Sequence, residues 1–161
     1  AWLEQLYSFD DPARDPRMRI VSISHFALLP ADRLKAAVKG RNDLRLVPVD
    51  VSETTLAFEH DAIIDLARTR LQGKLAYTPV ALALLPDQFT LRDLQAVHEG
   101  ILGTRLNKPA LRRRMLDSGW IEATGEKETA GAFRSAELFR QTDRHRSQGK
   151  AAAPHMRSSD Q

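Results

Sequence analysis

Residues 89–139 constrain the fold of this chain most. They hold start and stop signals for two helices in tandem, then two strand-like runs. Phe89-Thr90-Leu91-Arg92-Asp93-Leu94 opens the first helix. Thr90 stands at the N-cap and Asp93 three residues on completes a capping box, in which each side chain takes a backbone N–H that the first turn leaves unpaired. Phe89 and Leu94 flank the cap as a hydrophobic staple. Leu94, Val97 and Ile101 recur at helical spacing as the buried stripe, and Gly103 supplies the stop. The second helix starts at Asn107 or Lys108, with Pro109 in its first turn, where a missing N–H does no harm. Leu111 and Met115 lie one turn apart and face the core. Arg113 then points outward, flanked by Arg112 and Arg114. Gly119 ends this helix, and residues 121–124 and 136–139 read as strands around a Gly-containing loop. A basic helix after a tight turn, followed by a hairpin, is the pattern of a winged helix-turn-helix, which lays its second helix in a DNA groove.

The bulk composition sets wider limits. The chain has 161 residues, 42% of them hydrophobic, enough for one or two small globular units. It contains no Cys, which excludes disulfides and thiolate metal sites and suits a reducing, cytoplasmic location. No apolar run is long enough to cross a bilayer. The chain opens at Ala1-Trp2-Leu3 without the basic start and apolar core of a signal peptide; it is expected to be a piece of a longer chain. Net charge is only +3, but it is unevenly placed. Basic residues crowd 105–114 and 134–157, and acidic ones gather at 50–65. A local basic patch points to nucleic acid more strongly than net charge does.

Ahead of the helix pair, residues 3–51 read as mixed strand and loop. Residues 18–29 form the best strand candidate, closed by Pro30, with His25 as a core histidine. A polar loop fixed by Pro12 and Pro16 precedes it. Residues 31–40 fit a short helix or a loop, and residues 44–51 a further strand interrupted by Pro48. Residues 52–58 mark a boundary. Beyond it Ile64, Ala67, Leu71 and Leu75 share a helix face, and residues 79–85 form a short apolar turn. His60-Asp61 and His98-Glu99 sit on helices without metal-ligand spacing. No HExxH, P-loop or nucleophile elbow occurs, so no residue is expected to be catalytic or to bind metal.

Trp2-Leu3-Glu4-Gln5-Leu6-Tyr7-Ser8-Phe9, Arg14-Asp15-Pro16-Arg17 and Val21-Ser22 resemble the segment after the Nudix box of a Nudix fold. Leu56-Ala57-Phe58-Glu59-His60-Asp61, Lys74-Leu75-Ala76-Tyr77, Glu99-Gly100-Ile101-Leu102-Gly103 and Leu111-Arg112-Arg113-Arg114 continue the match in order. Together they are similar to the Nudix-related transcriptional regulators of NAD metabolism and to Nudix hydrolases with a fused winged helix. The implied fold class is α+β: the C-terminal part of a Nudix α/β/α sandwich over residues 1–55, a winged helix-turn-helix over 56–140 and a disordered tail over 141–161. The resemblance implies a repressor of NAD-metabolism genes that senses ADP-ribose or a related nucleotide and holds double-stranded DNA as a homodimer. Expected DNA contacts are Thr90, Arg105, Lys108, Arg112, Arg113, Arg114 and Arg134, with Arg14 and Arg17 assigned to the effector. The family often has Arg-Asn-Phe where this chain has Pro109-Ala110-Leu111, which removes an Asn suited to reading adenine. The glutamate-rich Nudix helix, R-E-x-x-E-E-x-G, is not in this sequence. Mg2+ and nucleotide hydrolysis, the alternative activity, would require it upstream.

Overall fold

The computed structural model describes residues 1–12, 17–49, 56, 60–128 and 135–142. Strands β1 (Trp2–Phe9) and β2 (Ser22–Leu28) pair antiparallel from Trp2 opposite Leu28 to Phe9 opposite Ser22, with a register shift between Gln5 and Tyr7. Alternation along a strand sends successive side chains to opposite faces. Trp2, Glu4 and Leu6 accordingly turn inward, while Leu3, Gln5 and Tyr7 stay exposed. His25 is exposed too, so it is not the core histidine that its apolar neighbours suggested. Helix α1 (Ala31–Val38) follows Pro30 and decides between helix and loop for that stretch.

Residues 44–49 form no strand. Pro48 lacks a ladder donor, and Leu44, Leu46, Val47 and Val49 are all exposed. The rest of that expected strand, and all of the boundary segment 52–58 except Leu56, lie outside the described residues. Helix α2 (His60–Lys74) carries Ile64, Ala67 and Leu71 as read, with buried Leu75 just past its end. It is tied to β1 by charge. The Lys74 ammonium lies 2.8 Å from Glu4 and 5.7 Å above the Trp2 ring, and Arg70 sits 3.7 Å from the same carboxylate. A 3-10 turn, Val80–Leu84, then drops Val80, Ala81 and Leu82 into the interior.

The remaining elements are β3 (Phe89–Thr90), α3 (Leu91–Leu102), α4 (Lys108–Asp117), β4 (Ile121–Lys127) and β5 (Glu137–Gln141). The strands form one sheet in the order β3-β5-β4, antiparallel throughout. One apolar core joins sheet and helices: Leu82, Leu85, Phe89, Leu94, Leu111, Met115, Ile121 and Phe139. A second cluster of Leu75, Val80 and Ala81 packs with Trp2, Leu28, Leu71 and Ile101, seating the β1–β2 pair against α2 and α3. Residues 141 and 142, where the tail was expected to start, are part of the wing. Gln141 ends β5, and Thr142 donates its N–H to the Trp120 carbonyl and its hydroxyl to that of Gly119. Residues 143–161 lie outside the described residues.

The cap reads out as the sequence implies, with one addition. The Thr90 hydroxyl accepts from the Asp93 N–H at 3.2 Å, and the Asp93 carboxylate accepts from the Thr90 N–H at 2.9 Å and from its hydroxyl at 2.8 Å. Thr90 is also a strand residue, opposite Leu138 on β5. A single residue therefore ends the sheet's short strand and starts α3. At the other end, Gly103 adopts φ 69° and donates its N–H to the Glu99 carbonyl. Only a residue tolerant of left-handed backbone fits there. Replacing Thr90 by Ala removes the cap and should cost about 1–2 kcal/mol, whereas Thr90→Ser should retain most of it; thermal denaturation of the two variants checks the difference.

Candidate nucleic-acid interface

Helix α4 is the exposed element with most cationic side chains, and its inward face fixes what it shows to solvent. Asn107 caps it, accepting from the Ala110 N–H at 2.9 Å, and Pro109 lies in the first turn. Leu111 and Met115 are buried in the core. At about 100° per residue, Arg113 lies opposite that buried pair, sharing the outward face with Pro109 and Ala110. Lys108, Arg113 and Arg114 are exposed, as is Arg105 in the preceding turn. Lys108 and Arg113 make no ion pair among the described residues. Both charges face solvent, while the neighbouring Pro109 and Ala110 offer no side-chain donor or acceptor.

Arg112 is in a different position. Its guanidinium lies 3.4 Å from Glu137 on β5 and 5.8 Å above the ring of Phe139. Long cationic side chains commonly cover apolar surface while keeping the charge wet, and Phe139 is 1% exposed beneath it. Arg112 thus supports the joint between α4 and the sheet as well as adding charge. The wing itself is acid-rich among its described residues. Glu122, Glu126 and Glu137 lie on β4 and β5 beside Lys127 and Arg140, and Arg140 is held by Glu122 across the strands at 2.7 Å. Among the described residues, α4 and the turn before it therefore hold a cluster of exposed cations, Arg105, Lys108, Arg113 and Arg114.

Thr90 is not a DNA-contacting side chain: it is 3% exposed and its hydroxyl is used by Asp93. The sequence placed it at the start of the first helix, and there the hydroxyl is taken up by the cap while the backbone pairs with Leu138 of β5. Arg134 and Arg14 lie outside the described residues. Arg17 is exposed in the connection between β1 and β2. His98 faces inward and is 1% exposed. Its Nδ1 donates to the Leu94 carbonyl at 2.9 Å, since a carbonyl can only accept. Burial holds its pKa below the ordinary histidine value, opposed by that hydrogen bond and assisted by the Arg114 charge. A neutral core histidine results, not a ligand.

Two residues that the periodicity passed over shape the turn between α3 and α4. Glu99 Oε1 accepts from the Leu106 N–H at 2.8 Å and from Gln95 Nε2 at 2.8 Å, and Gln95 Nε2 also reaches the Leu106 carbonyl at 3.1 Å. Their spacing of four residues on one helix face was the available signal. Among the described residues no three His, Asp or Glu side chains gather as a metal-holding group. No helix among the described residues is long and apolar enough to cross a membrane.

A capped helix, a braced turn, a basic outward-facing helix and a three-stranded wing define a winged-helix DNA-binding protein. Residues 81–141 match the NrtR DNA-binding winged helix domain. The chain is 36% identical over 140 residues to the ADPR responsive transcriptional repressor NtrR of Acinetobacter baylyi, covering 86% of this chain and 56% of that protein. Shewanella oneidensis NrtR superposes with a TM-score of 0.80 and 32% identity. In its complex with a 27mer DNA the match covers 88% of this chain and 64% of that one; without DNA it covers 91% and 67%. A MutT/nudix family protein from Enterococcus faecalis shares the fold at 20% identity and a TM-score of 0.62, over 88% of this chain and 62% of that one. The chain belongs to the NrtR family. Its fold is accordingly α+β, the C-terminal part of a Nudix-type sandwich joined to a winged helix, and it spans about half the length of the curated relative it matches.

The Arg112–Glu137 contact makes a measurable difference to this interface. Glu137→Gln should release Arg112 toward phosphate, tightening duplex DNA binding and steepening its log–log salt slope by about 1. Folding stability should change by no more than about 1 kcal/mol, because the pair is exposed. Salt-series titration alongside thermal denaturation checks both.

Proposed function

We propose that this chain is the DNA-binding part of a cytoplasmic transcriptional repressor of NAD-metabolism genes, responsive to ADP-ribose or a related nucleotide. The observation that carries the reading is the outward face of α4. Arg113 stands opposite the buried Leu111 and Met115, with exposed Lys108 and Arg114 beside it. Cations fixed on a helix that projects from a winged-helix core neutralise phosphates and release counterions on binding. The DNA-bound relative and the relative named as ADPR responsive support the two halves of the proposal. A homodimer would present two such helices to the two halves of a palindromic operator. Mg2+ enters only for a chain that carries the glutamate-rich Nudix helix.

The outward face carries charge but little base-reading chemistry. Pro109 and Ala110 stand where a polar pair would read an edge, so attachment rests on phosphate and DNA shape. Arg113→Ala should weaken binding to a DNA duplex about tenfold and flatten the salt slope by about 1. Mobility-shift titration at several salt concentrations measures both; an unchanged slope contradicts the phosphate role. The same titration with ADP-ribose added tests the effector, and identical affinity with and without it in a protein carrying the complete Nudix domain contradicts that part.

A further inference from the structure

We infer that Glu99, which lies on α3 and not on the basic face, is a positioning residue for DNA binding: its carboxylate, with Gln95, holds the Leu106 backbone and thereby sets the direction in which α4 leaves the turn. The inference rests on the DNA-binding reading above and adds a residue to it.

Two things fix the direction of α4. One is the packing of Leu111 and Met115. The other is the path of the chain into the Asn107 cap. Leu106 immediately precedes that cap, and both of its backbone polar groups are taken by α3. Its N–H goes to Glu99 Oε1 and its carbonyl to Gln95 Nε2. The third side of the ring is the Gln95–Glu99 hydrogen bond. A turn at the surface could give these groups to water. Instead they are held by side chains that are themselves only partly exposed, and Leu106 packs against the main core.

The position of Glu99 supports a role beyond its own helix. It lies in the last turn of α3, where the helix dipole favours cations and disfavours a carboxylate, and the last turn contains no basic residue. It also brings negative charge close to a face meant for phosphate, near Arg105. What holds it is the turn. The Leu106 N–H, then the Gln95 amide, keep its carboxyl below the usual glutamate range, with Arg105 adding to the effect. An ionised acceptor makes the stronger hydrogen bond, so the brace is firmest in the charged form.

Charge and positioning predict opposite results, which makes the test decisive. Removing a carboxylate near the DNA face should, by charge alone, tighten binding. Loss of positioning should weaken it. The measurement is titration of a mixed-sequence DNA duplex against the protein and its variants over a salt series, at a temperature where circular dichroism shows each one folded. Glu99→Ala is expected to lose affinity about tenfold and to flatten the salt slope by about 1, because Lys108 and Arg113 no longer meet phosphates together. Glu99→Gln keeps the Oε1 acceptor; its weaker, uncharged hydrogen bond and the removed negative charge act in opposite directions, so it is expected to bind well above E99A and within about threefold of wild type. If E99A is not folded at the assay temperature, Gln95→Ala is read in its place with the same expectation. A folded E99A (or Q95A) that binds as tightly as wild type, or more tightly, overturns the positioning role while leaving the DNA-binding reading intact. Failure of the wild type itself to bind overturns that reading and this role with it.

Discussion

The reciprocal hydrogen bonds between Thr90 and Asp93 are the joint on which the winged helix depends. Helix α3 must begin where β3 ends, because Thr90 belongs to both. The β3–β5 pairing places Phe139 beneath the helix pair, and Phe139, Leu94 and Met115 then close the core from sheet, first helix and second helix. If the start of α3 moved by one residue, Leu94 would leave the core and the two strand partners of β3 would lose register. Sheet, helix start and core are thus consequences of one local constraint.

From that joint the chain builds a reading head whose charge is selectively exposed. Met115 and Leu111 bury one side of α4, and Arg113 takes the other. Arg112 is turned toward Glu137 and the wing. Among the described residues the wing pairs cations with carboxylates, whereas Lys108 and Arg113 of α4 make no ion pair. Behind the head, Gln72 of α2 donates to the Ile101 carbonyl at 2.9 Å, and Lys74 and Arg70 of the same helix meet Glu4 on β1. Helix α2 therefore touches both the Nudix-type strands and the end of α3, which gives any rearrangement of that sheet a physical route to the winged helix.

Much of this was legible in the chain because the signals were local. Thr90, Asp93 and Gly103 declare a helix over a dozen residues, and Leu111 with Met115 orient the next one, all within one or two turns. Strands with alternating or apolar runs, such as β4 and β2, were also visible. What escaped depended on distant partners. The two-residue strand β3 exists only because β5 lies beside it some fifty residues later, and the burial of Thr90 at that junction is not legible locally. The pairing of Arg112 with Glu137 is not legible in the sequence, because the sheet brings together residues twenty-five positions apart. Residues 44–49 have strand-forming side chains but no strand to pair with among the described residues, and apolar sequence alone does not make a ladder. The Gln95–Glu99 brace is invisible to apolar spacing, because it is a polar pair whose partner is the Leu106 backbone.

The central claim is that DNA meets the outward face of α4. The most direct test is a duplex DNA titration followed by NMR on 15N-labelled protein, mapping which backbone amides shift. The largest perturbations are expected at Lys108–Asp117 and in the preceding turn, around Arg113 above all, with little change on the exposed face of the β1–β2 pair. Perturbations concentrated on that strand pair, with α4 unmoved at saturating DNA, would contradict it.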